Sequence, residues 1–134
     1  MKNLLILSLI FTTFSSFSYD NKRENLQMYA SEISWYMEVY DFGEIPQKKA
    51  VSIDFSFTNT GDAPLVITDV KTSCGCTATN YPKTAIAPGE TSQITVEYNA
   101  KALGAFSKAI TVVTNATEQT KLLRIKGTVV NNKL

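Results

Sequence analysis

The sequence predicts an all-β fold: an antiparallel sandwich of about seven strands, preceded by a signal peptide and a short arm. Three observations carry this. Val51, Ile53, Phe55 and Phe57 alternate strictly with Ser52, Asp54 and Ser56, the period of two expected of a strand with one buried face. Beyond Gln27 no run of 12 or more residues places its apolar positions at helical spacing. Turn chemistry recurs at short intervals, as a sandwich of the immunoglobulin-like type requires, with a small closed barrel as the competing architecture.

Residues 1–18 open with one cation, Lys2, continue through the apolar run Leu4 to Phe11, and end in Ser16-Phe17-Ser18. Those are the three parts of a secretory signal peptide with cleavage after Ser18. The apolar stretch is shorter than the roughly 20 residues that span a bilayer. No cysteine precedes Cys74, so the expected product is extracytoplasmic, periplasmic or secreted, and not a lipoprotein. After cleavage no integral membrane segment is expected. Residues 19–32 are polar and without sustained periodicity, and read as an arm or linker that adds little to the core. The sandwich domain is expected over 33–131.

Seven apolar runs follow, at about 33–42, 49–58, 64–72, 76–81, 92–99, 106–114 and 121–130. Asn59-Thr60-Gly61-Asp62 breaks the second from the third, and Gly61 and Gly89 are expected at positive φ, the latter in a type II turn after Pro88. Asn115-Ala116-Thr117 matches a glycosylation sequon but reads as a hairpin turn. The inward set comprises Phe42, Ile53, Phe55, Phe57, Leu65, Ile67, Val70, Ile94, Val96, Ile110, Val112, Leu123, Ile125 and Val129. At roughly 1.5–3 kcal/mol for each large side chain fully buried, this core needs no metal and no disulfide framework.

The 134 residues make one domain and contain 13 Lys+Arg, 12 Asp+Glu and no histidine. Without histidine there is no Ser-His-Asp or Cys-His nucleophile pair and no His-ligated zinc. Near-neutral charge argues against a nucleic-acid partner. Asp41, Glu44, Asp54, Asp62, Asp69, Glu90 and Glu97 are scattered over strands and turns, so no acid and nucleophile pair is expected among them. Tyr29, Trp35, Tyr36 and Tyr40 form an aromatic group at the arm, read as core or edge packing or as a partner platform.

Asp41-Phe42-Gly43-Glu44-Ile45, Phe57-Thr58-Asn59-Thr60-Gly61-Asp62-Ala63-Pro64-Leu65 and Ser73-Cys74-Gly75-Cys76-Thr77 occur in order, followed by Ile86-Ala87-Pro88-Gly89-Glu90 and Ile125-Lys126-Gly127. Over about 38–130 these resemble the exported bacterial family called domain of unknown function 1573, frequent in Bacteroidetes. That family is itself similar to ASH and major sperm protein modules. The resemblance implies an immunoglobulin-like sandwich outside the cytoplasm and no established reaction.

Cys74 and Cys76 are the residues whose chemistry can exceed packing. In a fully extended chain their Cα atoms lie roughly 6.6–7.2 Å apart, at the upper edge of disulfide geometry, unless Gly75 bends. Four readings stay open: small packed thiols, a local disulfide, a soft-metal site for an ion such as Cu(I), or a redox pair. The expected function is a non-enzymatic binding or structural module with an envelope protein or glycan as partner and no cofactor. The alternative is a thiol redox or copper-binding protein using Cys74 and Cys76.

Overall fold

A computed structural model describes residues 29–131. The expected signal peptide and most of the expected arm lie outside the described residues. Eight strands follow one another: β1 (Ile33–Trp35), β2 (Val39–Pro46), β3 (Val51–Asn59), β4 (Ile67–Thr72), β5 (Thr77–Asn80), β6 (Thr91–Tyr98), β7 (Gly104–Thr114) and β8 (Thr120–Val130). They form two four-stranded sheets, ordered β1-β3-β6-β5 and β2-β8-β7-β4. The chain is a β-sandwich.

The expected single run over 33–42 is two strands in different sheets. Tyr36 N–H still donates to Ser56 O in the first sheet, whereas Arg124 N–H donates to Glu38 O in the second. The chain therefore changes sheets across Tyr36–Glu38 without any turn residue to announce it. The second difference is direction: β2 runs parallel to β8, so the second sheet is mixed rather than antiparallel throughout.

Between the sheets lie Phe55, Phe57, Leu65, Ile94, Val96, Ile110, Val112, Leu123 and Ile125, all fully buried. Phe42, Ile53 and Val70 pack on this core from its margins. Ile86, Tyr98 and Phe106 belong to it too, the last two stacked with ring centroids 4.1 Å apart. Trp35 leans on Phe57 at 5.0 Å, and its indole N–H is buried without a hydrogen-bond partner among the described residues.

The corner between β3 and β4 is built around Asn59, which is 0% exposed. Its Nδ2 donates to Ala63 O and to Ile86 O, each at 2.9 Å, and its Oδ1 accepts the Gly61 N–H at 3.0 Å. Gly89 takes φ +82°, as its turn requires. Gly61 does not have positive φ; it is needed for space. A Cβ there would lie 2.2 Å from Ala30 O and 2.5 Å from Glu32 N, because the segment before β1 is laid directly against it.

The last residues of the expected arm lie against the domain. Thr60 N–H donates to Glu32 O, Asp62 N–H to Ala30 O, and Thr117 N–H to Ser31 O. Ala30 N–H returns a bond to Asp62 Oδ1 at 2.8 Å, and Ser31 is buried with its hydroxyl on Asn115 O at 3.0 Å. Residues 30–32 thus tie the loop after β3 to the loop after β7.

Candidate functional site

Cys74 and Cys76 lie in the connection that carries the chain from β4 in one sheet to β5 in the other. Their sulfurs are bonded and their Cα atoms are 5.4 Å apart, so the segment is bent rather than extended. Gly75 is not in the left-handed region. The bend is held by the Thr72 hydroxyl, which donates to Cys74 O at 3.1 Å, and by Thr77 N–H on the same oxygen. Ser73 N–H donates to Ala109 O and Asn99 N–H to Cys76 O, which anchors the corner to both sheets. Bonded to each other, the sulfurs present no thiolate to a metal ion. Lys71 and Lys83, the nearest cations in sequence, are engaged elsewhere, on Asp69 at 3.7 Å and over the Tyr81 ring at 3.2 Å.

Most of the carboxylates stand apart, while Asp54 and Glu97 share the outer face of the adjacent strands β3 and β6, two register positions from each other. Among the described residues no three His, Cys, Asp or Glu side chains lie together in a metal-binding group. Asp41 Oδ1 accepts the Gly43 N–H, Asp62 caps Ala30, and Glu90 Oε2 accepts the Ala87 N–H: these three serve turns and the latch. The aromatic group also separates. Trp35 packs into the core and Tyr40 meets Phe42 edge-on at 4.9 Å, while Tyr29 and Tyr36 remain exposed.

What the strands do bring together is a face that sequence reasoning passed over. Antiparallel register aligns Ser34 with Thr58 and Thr91, Ser56 with Gln93, Asp54 with Thr95 and Asn80, and Ser52 with Glu97 and Ala78. Alternation turns all of these outward from the β1-β3-β6-β5 sheet. No lysine or arginine stands among them. Thr95 donates to Asp54 Oδ1 at 2.6 Å, Thr58 and Thr91 share a hydroxyl contact at 2.8 Å, and the Tyr36 phenol reaches Thr58 at 3.4 Å. Hydrogen bonds from Thr58 and Thr91 hold the Tyr36 phenol below its usual pKa. Two shallow depressions of about 290 and 180 Å³ lie along β5 and β6 and share Asn80 and Thr95. The available signal was the polar half of the same alternation that located β3 and β6.

The outer face of the other sheet has a different chemistry. Val39 and Leu122 are exposed there, beside Arg124, with ion pairs Lys126–Asp41 at 3.8 Å and Lys71–Asp69 at 3.7 Å. A larger depression of about 330 Å³ is the seam of the 30–32 latch, lined by Ala30, Glu32, Thr60, Gly61 and Asp62. The one carboxylate there on the far side of the seam, Asp62, is already occupied by the Ala30 N–H.

The family described as "Protein of unknown function (DUF1573)" matches residues 33–129. No curated protein matches the sequence. Among solved structures, a protein of unknown function from Porphyromonas gingivalis W83 is 17% identical with a TM-score of 0.63, over 75% of this chain and 46% of that one. The ASH / PapD-like domain 7 of human CEP192 is 6% identical with a TM-score of 0.66, over 78% of this chain and 89% of that one. The Vibrio cholerae VesB protease is 18% identical with a TM-score of 0.60, over 76% of this chain and 32% of the protease. At these identities the likeness is one of fold. The chain spans less than half of the Porphyromonas protein and about a third of the protease.

Proposed function

The chain belongs to the DUF1573 family of proteins of unknown function, and from that premise we propose that it is an exported, non-enzymatic binding module of the cell envelope. The observation that carries the reading is the outer face of the β1-β3-β6-β5 sheet, where hydroxyl and amide side chains stand in register with the Asp54 and Glu97 carboxylates and without a cation. A face that serves only solubility is ordinarily rich in lysine and glutamate of both signs, as the opposite sheet is in part. Export rests on the composition of residues 1–18. The non-enzymatic reading rests on a sequence without histidine and on Asp41, Asp62 and Glu90 being engaged by backbone N–H groups. The thiol and copper alternative has no observation in its favour while the two sulfurs are bonded.

The test is cross-linking in intact bacteria expressing the tagged full chain, followed by fractionation. The expected result is a processed product beginning after Ser18, cross-linked to an envelope component. Thr95→Arg, on the proposed face, abolishes the cross-link, and Leu122→Arg, on the other sheet, leaves it. An unprocessed cytoplasmic product, or cross-linking indifferent to Thr95→Arg, overturns the proposal.

A further inference from the structure

Resting on the reading of the β1-β3-β6-β5 sheet as a binding surface, we propose that its edge along residues 51–55 of β3 accepts an extended segment of a partner protein as an added strand, with an apolar side chain facing Ile53 and a lysine or arginine facing Asp54. The chain itself shows how such a strand sits. β1 pairs with β3 only at Phe57, Thr58 and Asn59, and after a last bond from Tyr36 N–H to Ser56 O it leaves for the other sheet. Successive residues of a strand offer their backbone groups to opposite sides. Since Ser56 O faces β1, the N–H and C=O groups of Asp54 and Ser52 face the same way, and β3 has no neighbouring strand there among the described residues.

The two halves of β3 differ as covered and uncovered. Under β1, Phe57 is fully buried with Trp35 against it at 5.0 Å, and Ser56 and Thr58 are half-buried. Beyond β1, Val51 and Ile53 are half-buried although they point inward, and Ser52 and Asp54 are exposed. The margin of the core at that end is apolar: Tyr98, paired with Val51, stacks on Phe106, which meets the half-buried Phe42 of the other sheet at 6.4 Å. An apolar residue on the inward side of an added strand covers Ile53 as Trp35 covers Phe57. In strand addition of this kind the main-chain bonds supply affinity and the alternate side chains supply specificity.

The other edges are guarded against such pairing, and this one is not. β1 is three residues long, and β5 is four, followed closely by Pro82. β2 is interrupted by a register shift between Asp41 and Glu44 and ends at Pro46, while β4 is interrupted between Ile67 and Asp69 and carries Lys71. Short strands, bulges, prolines and lysines are the usual devices that keep an edge from pairing. Val51-Ser52-Ile53-Asp54-Phe55 contains no proline or lysine, and its register to β6 is unbroken. At about 3.3 Å per residue the opening has room for about 17 Å of added strand. Charge sets the chemistry of the partner. Asp54 Oδ1 accepts the Thr95 proton from the β6 side, and the outward strand positions hold no cation, so a lysine or arginine directly opposite Asp54 is complementary. Lys48 and Lys49 precede β3, at the other end of the opening.

The experiment is NMR titration, with amide hydrogen exchange, of the exported, purified full chain. The probes are the capped peptide Val-Lys-Val-Thr-Val, whose lysine falls opposite Asp54 in antiparallel register, and Val-Glu-Val-Thr-Val as its charge-reversed control. The Ser52 and Asp54 amides are expected to exchange quickly in the free protein, and the lysine peptide to slow both and to shift signals over residues 51–56. Asp54→Lys is expected to weaken the lysine peptide about 5-fold or more and to favour the glutamate peptide instead. Ser52→Pro removes an N–H that faces the opening while leaving the β6 ladder intact, and is expected to abolish binding with circular dichroism unchanged; if that variant does not fold, the charge reversal at Asp54 decides. Ser52 and Asp54 amides already slow in the free chain, covered by a second copy or by the chain's own ends, overturn the proposal. So do binding of neither peptide, signal shifts confined to other strands, and a peptide preference indifferent to Asp54→Lys. The two readings fail separately: an envelope component cross-linked through Thr95 by a chain whose edge takes no peptide removes the added strand and keeps the binding module.

Discussion

The corner between β3 and β4 and the corner between β4 and β5 both carry the chain from one sheet to the other, and they are held by opposite means. The first is closed by the buried Asn59 side chain and by residues 30–32 laid across Gly61. The second is closed by a covalent bond between half-buried cysteines two positions apart. The difference is in what each closure constrains. Asn59 and the latch join segments far apart in the chain, reaching Ile86 and Asn115, whereas the disulfide closes a loop of three residues. The disulfide restricts the unfolded chain over three residues only, and so by little, whereas the Asn59 corner acts in the folded state through hydrogen bonds whose loss leaves buried polar groups unpartnered, so the non-covalent corner is the stronger staple.

Asn59→Ala breaks that comparison hardest. It removes a fully buried side chain, leaves Ala63 O and the Gly61 N–H without their partner, and leaves Ile86 O with the Leu65 N–H alone. An unsatisfied buried group costs about 1–3 kcal/mol, so a loss of about 3–4 kcal/mol is expected in urea unfolding, enough to unfold a marginal domain. A loss below about 1 kcal/mol shows that water replaces the side chain and that the corner is not a staple.

Gly61→Ala attacks the same corner from the other side. The new methyl meets the Ala30 and Glu32 backbone, which cannot swing away as a flexible side chain can. The expected cost is about 2–3 kcal/mol, in the range of overpacked sites, together with faster hydrogen exchange at the Thr60 and Asp62 amides, whose acceptors are Glu32 O and Ala30 O. Asn115→Ala is milder. Its side chain accepts from Val66 N–H at 2.8 Å and donates to Pro64 O at 3.1 Å, but the residue is exposed. Water takes over these bonds, and about 1 kcal/mol is expected.

How far these corners were legible follows from which interactions are local in sequence. The alternation of Val51 to Phe57 located β3 and its inward set because a strand's buried face is written in neighbouring residues. Asn59-Thr60-Gly61-Asp62 was legible as a turn, but not as a latch, since nothing in those four residues reports that Ala30 and Ser31 return to them. The break between β1 and β2 was hidden because Tyr36-Met37-Glu38 contains no turn former, and the parallel pairing of β2 with β8 is fixed by partners some 80 residues away. The polar face was in plain view as Ser52, Asp54, Ser56 and Thr58, and was passed over because outward residues carry no weight in locating a core. The cysteines drew the eye for their chemistry, which is a poor guide to their contribution to stability.

The double variant Cys74→Ser, Cys76→Ser sharpens the comparison by having the smallest effect. Extended to a loop of three residues, the entropic expression for a cross-link gives about 1.6 kcal/mol for what the bond adds. The corner also keeps its other ties, Ser73 to Ala109 and Cys76 O to the Asn99 N–H, neither of which uses sulfur. Urea unfolding of the variant, and of the wild type under reductant, is therefore expected to show a loss of about 1.6 kcal/mol or less with an unchanged m-value, about half the effect of Asn59→Ala. A loss equal to that of Asn59→Ala means that the disulfide holds β5 against β6 through more than its own three residues, and the ranking of the two corners is reversed.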